Sequence, residues 1–497
     1  GELSGLCDPP LGRNPTCAEH RRHRLRSMTA RPRNLLILMS DEHRRDAAGF
    51  MGHPAASTPA LDRLAERGIV FDNAYTPAPI CVPARAAFAT GLPTHRTSHW
   101  DSAAPWTGQP RGWMHTLRDA GVHTATFGKL HYKSGCDHGA IEEVVPMHVA
   151  GEGWTVGLIR DGTATFAAAP EMAREVATGE TDTIRYDRTV TDAAVRWLAS
   201  DDRAARPWAA MVSLVTPHYP LVAPAEWRAR IDPDLIPKPF AARALPAHPE
   251  LRRLRDFFDH DPHFDDELML EARLNYMALV AFMDDCMGRV LAALDAAGLA
   301  DDTLVIYVSD HGEMLGDHGF WGKSVMLEGA VGIPMILSGP GVAAGRCATG
   351  ASLLDIAPTA LATFGLEPDD LPGADLRELA AAPDDPARTV FSEYHDGGST
   401  TGAFMVRWER WKYVHYTNER PQLFDVQTDP EERTDLGGDP AFASVRAEGL
   451  HRLRAICDPD LVDATAHSDQ ARRLAALGGR DAAMSIAFSH TPVPEPS

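Results

Sequence analysis

The chain has 497 residues, of which 44% are hydrophobic and 24% charged, values close to those of soluble globular proteins, which excludes collagenous, low-complexity and membrane-spanning classes. At roughly 150 residues per domain, the length allows one large domain or two to three ordinary ones. Lys+Arg 48 against Asp+Glu 69 leaves a formal net charge of −21, a surface that repels phosphate backbones and anionic bilayers, so neither nucleic acid nor membrane is an expected partner.

In chain order, residues 1–32 read as a disordered N-terminal extension. They hold Arg21, Arg22, Arg24 and Arg26 without a following apolar stretch, so neither a secretory nor a twin-arginine signal is supported. Met28 reads as a natural start. Leu35 to Met39 is far short of the roughly 20 apolar residues needed to span a bilayer. Seven sparse cysteines without CxxC spacing suggest reduced thiols in a cytoplasmic setting. Asn34 to Met39 predicts a strand, then Thr58 an N-cap with Pro59 at the first helical position, the helix stopping at Gly68. Ile69 to Tyr75 predicts a strand, Thr116 to Ala120 a helix, Val122 to Phe127 and Trp208 to Leu214 strands, and Glu267 to Ala297 a long helix. Thr303 to Val308 and Pro334 to Leu337 complete the series of strands. Near-continuous apolar strands separated by helices imply an α/β fold with a mostly parallel sheet covered on both faces.

Beyond about residue 385 the pattern changes. Thr389 to Glu393, Ala403 to Trp408, Lys412 to Tyr416 and Gln422 to Asp425 predict a small antiparallel sheet with a terminal helix. The expected organisation is a large domain over 33–380 and a C-terminal α+β subdomain and tail over 381–497. Ile231 to Pro249 and Phe257 to Asp266 read as excursions of the kind that shape an active-site rim.

The first strand runs into Ser40, Asp41, Glu42 and His43, and the Thr303 to Val308 strand into Ser309, Asp310 and His311. Ligands of parallel sheets gather at such C-terminal strand ends, and Asp41, Glu42, Asp310 and His311 suit a hard divalent cation. Strand-end acids that only cap helices or solvate loops are the alternative for either cluster alone. In Pro79 to Gly91, Cys81 is followed by Pro83 and Arg85 and then a helix, which places the sulfur at a helix N-terminus, an anion-favouring position. The residues by themselves leave Cys81 either a low-pKa thiolate or a buried thiol.

With the trailing Thr90-Gly91, Gly128-Lys129-Leu130-His131, Pro217-His218, Ser309-Asp310-His311-Gly312 and Trp321-Gly322-Lys323 in one order, the chain resembles type I sulfatases of the alkaline phosphatase superfamily. The likeness extends through Arg410-Trp411-Lys412-Tyr413, Leu423-Phe424-Asp425 and Asp429-Pro430-Glu431, and so covers most of 33–437. It implies an alkaline-phosphatase-like sandwich and a catalytic domain over 33–380. It further implies that Cys81 is oxidised to formylglycine by a formylglycine-generating enzyme. Asp41, Glu42, Asp310, His311 and the modified Cys81 would be metal ligands, and Arg85 would hold formylglycine and the ligand carboxylates. Lys129 and His131 would bind the sulfate, with His131 as base, and would face one side if the segment is extended. His218 and Lys323 would contact the ester oxygen and protonate the leaving alcohol.

His43, His53, His95, His99 and His318 read as structural, and Trp106, Trp154, Tyr219 and His395 as candidates for a pocket lining. An Asp-His pair at the second strand suits Mn²⁺ better than Ca²⁺. That pair and Lys323 are similar to choline sulfatases and phosphonate monoester hydrolases, although both relatives have an asparagine where this chain has Ser102. The Lys-x-His pair is the sulfatase form, where phosphonate hydrolases have neutral hydroxyl-bearing residues. Val82 is bulkier than the small residue common after the cysteine. The expected activity is hydrolysis of a small organic sulfate ester. Phosphonate monoester or phosphodiester hydrolysis is the alternative, and a non-catalytic pseudoenzyme the least favoured reading. Homo-oligomerisation is left open.

Overall fold

A computed structural model describes residues 32–163, 165–166, 168–239, 248–259, 263–367 and 370–491. The expected extension over 1–32 lies outside them apart from Pro32, as do parts of both excursions. The central sheet has nine strands in the order Gly345–Cys347, Ile69–Phe71, Met335–Ser338, Thr303–Ser309, Asn34–Asp41, Trp208–Pro217, His123–Lys133, Glu142–Ala150 and Ser489–His490. Its middle is parallel: Asn34–Asp41 pairs with Thr303–Ser309 on one side and Trp208–Pro217 on the other. Met335–Ser338 and Ser489–His490 run antiparallel to their neighbours, so the sheet is mixed.

The middle strands lack polar alternation because both faces are buried. Leu36, Leu38, Val305 and Tyr307 enter one apolar cluster with helices Asp182–Leu198 and Asp266–Ala296. Leu35, Ile37, Met39, Leu304 and Ile306 enter another with Cys81–Thr90, Trp113–Asp119 and Ile356–Thr363. Successive side chains therefore divide between two helical layers, as the two-residue period of a strand requires.

Three local expectations are corrected. The strand expected over Ile69 to Tyr75 divides at a turn over Asp72 and Asn73; Ile69–Phe71 stays in the main sheet while Ala74–Tyr75 pairs with Ala351–Ser352. The Thr58 hydroxyl does not cap the Pro59–Glu66 helix but accepts from Gly49 N and donates to Asp62. The free amides of Ala60 and Leu61 donate instead to the Asp284 carboxylate at 2.9 and 2.8 Å, a cap from a distant helix that no local window contains. The single terminal helix is replaced by Ala443–Ile456 and Pro459–Ala476, followed by Arg480–Met484. Pro459 starts the second of the long pair, and the Asp458 carboxylate accepts from its first amides.

Val390–Tyr394, Ala403–Trp408, Trp411–Tyr416 and Glu419–Asp425 form an antiparallel meander. One face shares a core with Tyr75, Ile80, Met314 and Phe320, and the other packs on Leu453 of the Ala443–Ile456 helix. No helix among the described residues is long and apolar enough to cross a membrane.

Candidate active site and metal centre

The two metal-type motifs meet because their strands are register neighbours: Ser40 pairs with Ser309, and the next residues are Asp41 and Asp310. An extended chain would send Asp41 and Glu42 to opposite faces. Glu42 instead adopts a left-handed backbone, φ 66°, and both carboxylates approach His218, whose Nε2 is 4.0 Å from Asp41 Oδ1 and 3.3 Å from Glu42 Oε2.

Cys81 opens the Cys81–Thr90 helix and Arg85 lies one turn along it. The fully buried guanidinium donates from Nε to Asp310 Oδ2 at 2.7 Å, from Nη2 to Asp41 Oδ2 at 3.0 Å, and from Nη1 to the Lys129 carbonyl and the Ser213 hydroxyl. One planar fork thus fixes two carboxylates and the start of the Lys129 segment. Ser213 was not among the expected site residues; it lies inside an apolar strand and carries no motif signal.

Cys81 Sγ lies 3.0 Å from His311 Nε2 and 3.6 Å from Asp41 Oδ1. Burial first, then the Asp41 charge, pushes the thiol up to about 12. Of the two readings left open by the sequence, the structure therefore supports a protonated, buried thiol, since desolvation and a neighbouring anion outweigh the helix N-terminus. Burial alone would raise the Asp41 carboxyl, but the Lys129 and Arg85 charges hold it well below the usual carboxylate range. The Lys129 ammonium is 2.6 Å from Asp41 Oδ2.

Lys129 and His131 both approach this centre, but not through regular strand alternation. The register against Glu142–Ala150 shifts between Lys129 and Lys133, and His131 is left-handed, φ 57°. Gly128 precedes them at φ 90°, where an added Cβ would lie 2.1 Å from the Ser213 carbonyl; only glycine fits there. Neither ring nitrogen of His131 has a hydrogen-bond partner among the described residues. Burial, then Lys129, holds its pKa well below the ordinary histidine value.

His218 Nδ1 is 2.7 Å from the Tyr219 carbonyl, which can only accept, so Nδ1 carries the proton and Nε2 is a bare acceptor in the neutral ring. Lys323 Nζ donates to that Nε2 at 2.9 Å and to Glu42 Oε2 at 2.8 Å. Burial, then Lys323, keeps His218 neutral by holding its pKa well down. Tyr219 stacks on His218 with ring centroids 4.4 Å apart and is partly exposed, so of the four pocket candidates it alone is in contact with the site. Trp106 is core, Trp154 packs on Phe166, and His395 bonds Glu393. Ser102 donates to Asp396 at 2.6 Å, and Val82 is buried. His43, His53, His95, His99 and His318 each bond elsewhere, to Tyr307, Ala55, Glu393, Ala104 and Glu431 respectively.

Ligand atoms of Asp41, Cys81, Asp310 and His311 lie within 4.8 Å of one another. His311 Nδ1 donates to the Gly312 carbonyl at 3.0 Å, which directs the Nε2 lone pair inward, the tautomer a metal ligand needs. Glu42 groups with Asp41 and His218 instead. Its Oε1 is buried without a hydrogen-bond partner among the described residues, and burial raises its pKa despite Lys323. Carboxylates, one imidazole and an unmatched oxygen are a donor set that fits a divalent cation.

A sulfatase family model matches residues 33–366, and a second, "N-sulphoglucosamine sulphohydrolase, C-terminal", matches 316–458. The chain is 32% identical over 484 residues to a choline-sulfatase of Rhizobium meliloti (strain 1021), covering 90% of this chain and 91% of that one. It is 30% identical to arylsulfatase K of Danio rerio, covering 87% and 85%. Among solved structures it superposes on the phosphonate monoester hydrolase of Agrobacterium radiobacter with a TM-score of 0.70 at 24% identity, covering 86% and 95%. The strand-end carboxylates, the buried Cys81–Arg85 turn and these matches lead to one conclusion: the chain belongs to the sulfatase family and is a sulfuric ester hydrolase.

Proposed function

We propose that the protein cleaves a small organic sulfate ester to alcohol and sulfate, using formylglycine made from Cys81. One divalent cation, Mn²⁺ in preference to Ca²⁺, would be held by Asp41, Glu42, Asp310, His311 and the oxygen that replaces sulfur at position 81. The observation that carries this reading is the buried Cys81 sulfur at the meeting point of Asp41, Asp310 and His311, 3.0 Å from His311 Nε2 and 3.6 Å from Asp41 Oδ1. A protonated thiol is a weak nucleophile. Formylglycine in its hydrated form would supply two hydroxyls on one carbon for transfer and release, and the cation would supply charge neutralisation.

The remaining roles follow from the hydrogen bonds. Arg85 keeps Asp41 and Asp310 in fixed orientation. Lys129 receives a sulfonyl oxygen, and His131, neutral and unpartnered, accepts a proton in the release step. Lys323 holds the proton for the leaving oxygen, because His218 Nε2 is an acceptor in this arrangement and has no proton to supply. Asp41, Glu42, Asp310 and the neighbouring Glu313 exceed Arg85, Lys129 and Lys323 by one negative charge, so a bound dication would leave the site positive and matched to an anionic ester. The matches to a choline-sulfatase and an arylsulfatase support a small ester. Phosphonate monoester or phosphodiester hydrolysis is the second reading, favoured by the 0.70 superposition, and a formylglycine-generating enzyme is the maturation partner.

The test is peptide mass spectrometry across Cys81 in protein co-expressed with such an enzyme, together with sulfate release from 4-nitrophenyl sulfate. A mass lower by about 18 Da at Cys81, with sulfate released, is expected. An unmodified thiol without turnover contradicts the proposal.

A further inference from the structure

The ring of His131 is buried, yet neither nitrogen is held by a hydrogen bond among the described residues, so packing alone sets its orientation. That packing comes from the far end of the chain. Ser489–His490 adds as the edge strand against Glu142–Ala150, with His490 paired to Val149. Thr491 fastens it: its N–H donates to the His148 carbonyl at 2.9 Å, and its hydroxyl donates to the Pro146 carbonyl at 2.9 Å and accepts from His148 N at 3.1 Å. The imidazole of His490 then lies parallel to that of His131, centroids 5.0 Å apart and planes within 8°. Phe488 closes the group edge-on to both rings, at 6.1 Å from His131 and 4.6 Å from His490.

Phe488 precedes, and His490 ends, a two-residue strand, a weak element by itself. Its backbone bonds give it a defined register, and that register places a flat ring over the His131 imidazole. Enclosure, then the Lys129 charge, holds His490 down to about 4, so the two stacked rings do not repel each other at neutral pH.

We propose that the C-terminal strand is part of the reaction site, with His490 as a positioning residue that holds the His131 imidazole towards the anion on Lys129. This rests on the sulfate-ester reading for its catalytic consequence, but the contact itself does not. A flat ring at 490 is what the role requires, so aromatic character, rather than an imidazole nitrogen, is the property that matters.

The test compares His490→Ala and His490→Phe in the full-length, formylglycine-bearing enzyme. With 4-nitrophenyl sulfate, His490→Ala is expected to lose about tenfold or more in kcat with a smaller change in KM, and His490→Phe to stay within about threefold of wild type, as misorientation of a reacting group predicts. Histidine-labelled NMR, with the His131 ring resonances identified by their loss in His131→Gln, reads the contact without turnover. Those resonances should move in His490→Ala and return towards their wild-type positions in His490→Phe. Wild-type kcat in His490→Ala, equal losses in both variants, or unmoved His131 resonances in His490→Ala would overturn the proposal. An inert wild-type enzyme whose His131 resonances still respond would refute the sulfate-ester reading and leave the ring contact standing.

Discussion

Two regions of this molecule bury a lysine among carboxylates, and they differ in what is left over. Under the C-terminal meander, the fully buried Lys412 Nζ lies 3.1 Å from Glu328 Oε1 and 2.8 Å from Glu432 Oε1. Tyr75 donates to Glu328, Arg45 pairs with it, and the Glu328 N–H donates to Glu432. That cluster joins the meander to the segment following Asp310, and within it Arg45 Nη1 is buried without a hydrogen-bond partner among the described residues. At the strand ends, Lys129 and Lys323 meet Asp41 and Glu42 in much the same way. There, however, Glu42 Oε1 and both nitrogens of His131 are unmatched, and the His311 lone pair is directed inward. Buried ion pairs and single unmatched atoms therefore do not mark a reaction site, and what separates the two regions is the pair of imidazoles at the strand ends, His131 with both nitrogens unmatched and His311 with its lone pair directed inward.

The comparison can be broken from either side. The largest effect is expected at the strand-end cluster: Lys129→Ala should lower kcat by about 100- to 1,000-fold, the usual loss when a preorganised charge facing the transferring group is removed. Arg85 still pairs Asp41, so the melting temperature should change little, and a thermal melt beside the steady-state assay checks both. The Lys412 cluster should behave in reverse. Lys412→Met leaves two buried carboxylates without their ammonium and should cost about 3–5 kcal/mol in stability, read by urea unfolding, with kcat per folded molecule unchanged.

A smaller effect lies in the acid range. Lys412, followed by Arg45, overcomes burial to hold Glu328 at about 2 against an ordinary 4.5. A depressed carboxyl contributes stability that is complete above 4.5 and lost as pH falls towards 2. Wild-type unfolding free energy should therefore decline across that window, by on the order of 1–3 kcal/mol from this group, and the decline should flatten in Lys412→Met. Equal acid slopes in the two proteins would count against the cluster as drawn.

What was legible in the sequence divides along physical lines. The parallel sheet could be read because strands buried on both faces write continuous apolar runs, and the strand-end acids follow those runs directly. The Cys81–Arg85 turn was readable because its geometry is local to one helix start. Features that depend on distant contacts left little trace. Asp284 caps a helix more than two hundred residues earlier in the chain, Ser213 is one small polar residue within an apolar strand, and the left-handed turn at Glu42 reverses the alternation an extended chain implies. His131 was identified, but the expected reason, two residues along an extended segment, gives way to a register shift and a positive φ. His490, and Phe488 just before its strand, were missed because the two-residue strand Ser489–His490 is too short for periodicity to register, and only its pairing with Glu142–Ala150 gives it a place.

The measurement closest to the central claim is kcat/KM for 4-nitrophenyl sulfate and for bis(4-nitrophenyl) phosphate, on the matured enzyme and on Cys81→Ala. The account predicts that the sulfate is the better substrate and that its turnover falls by at least about 1,000-fold without Cys81, as expected when a covalent nucleophile is removed. Turnover undiminished in Cys81→Ala would contradict it.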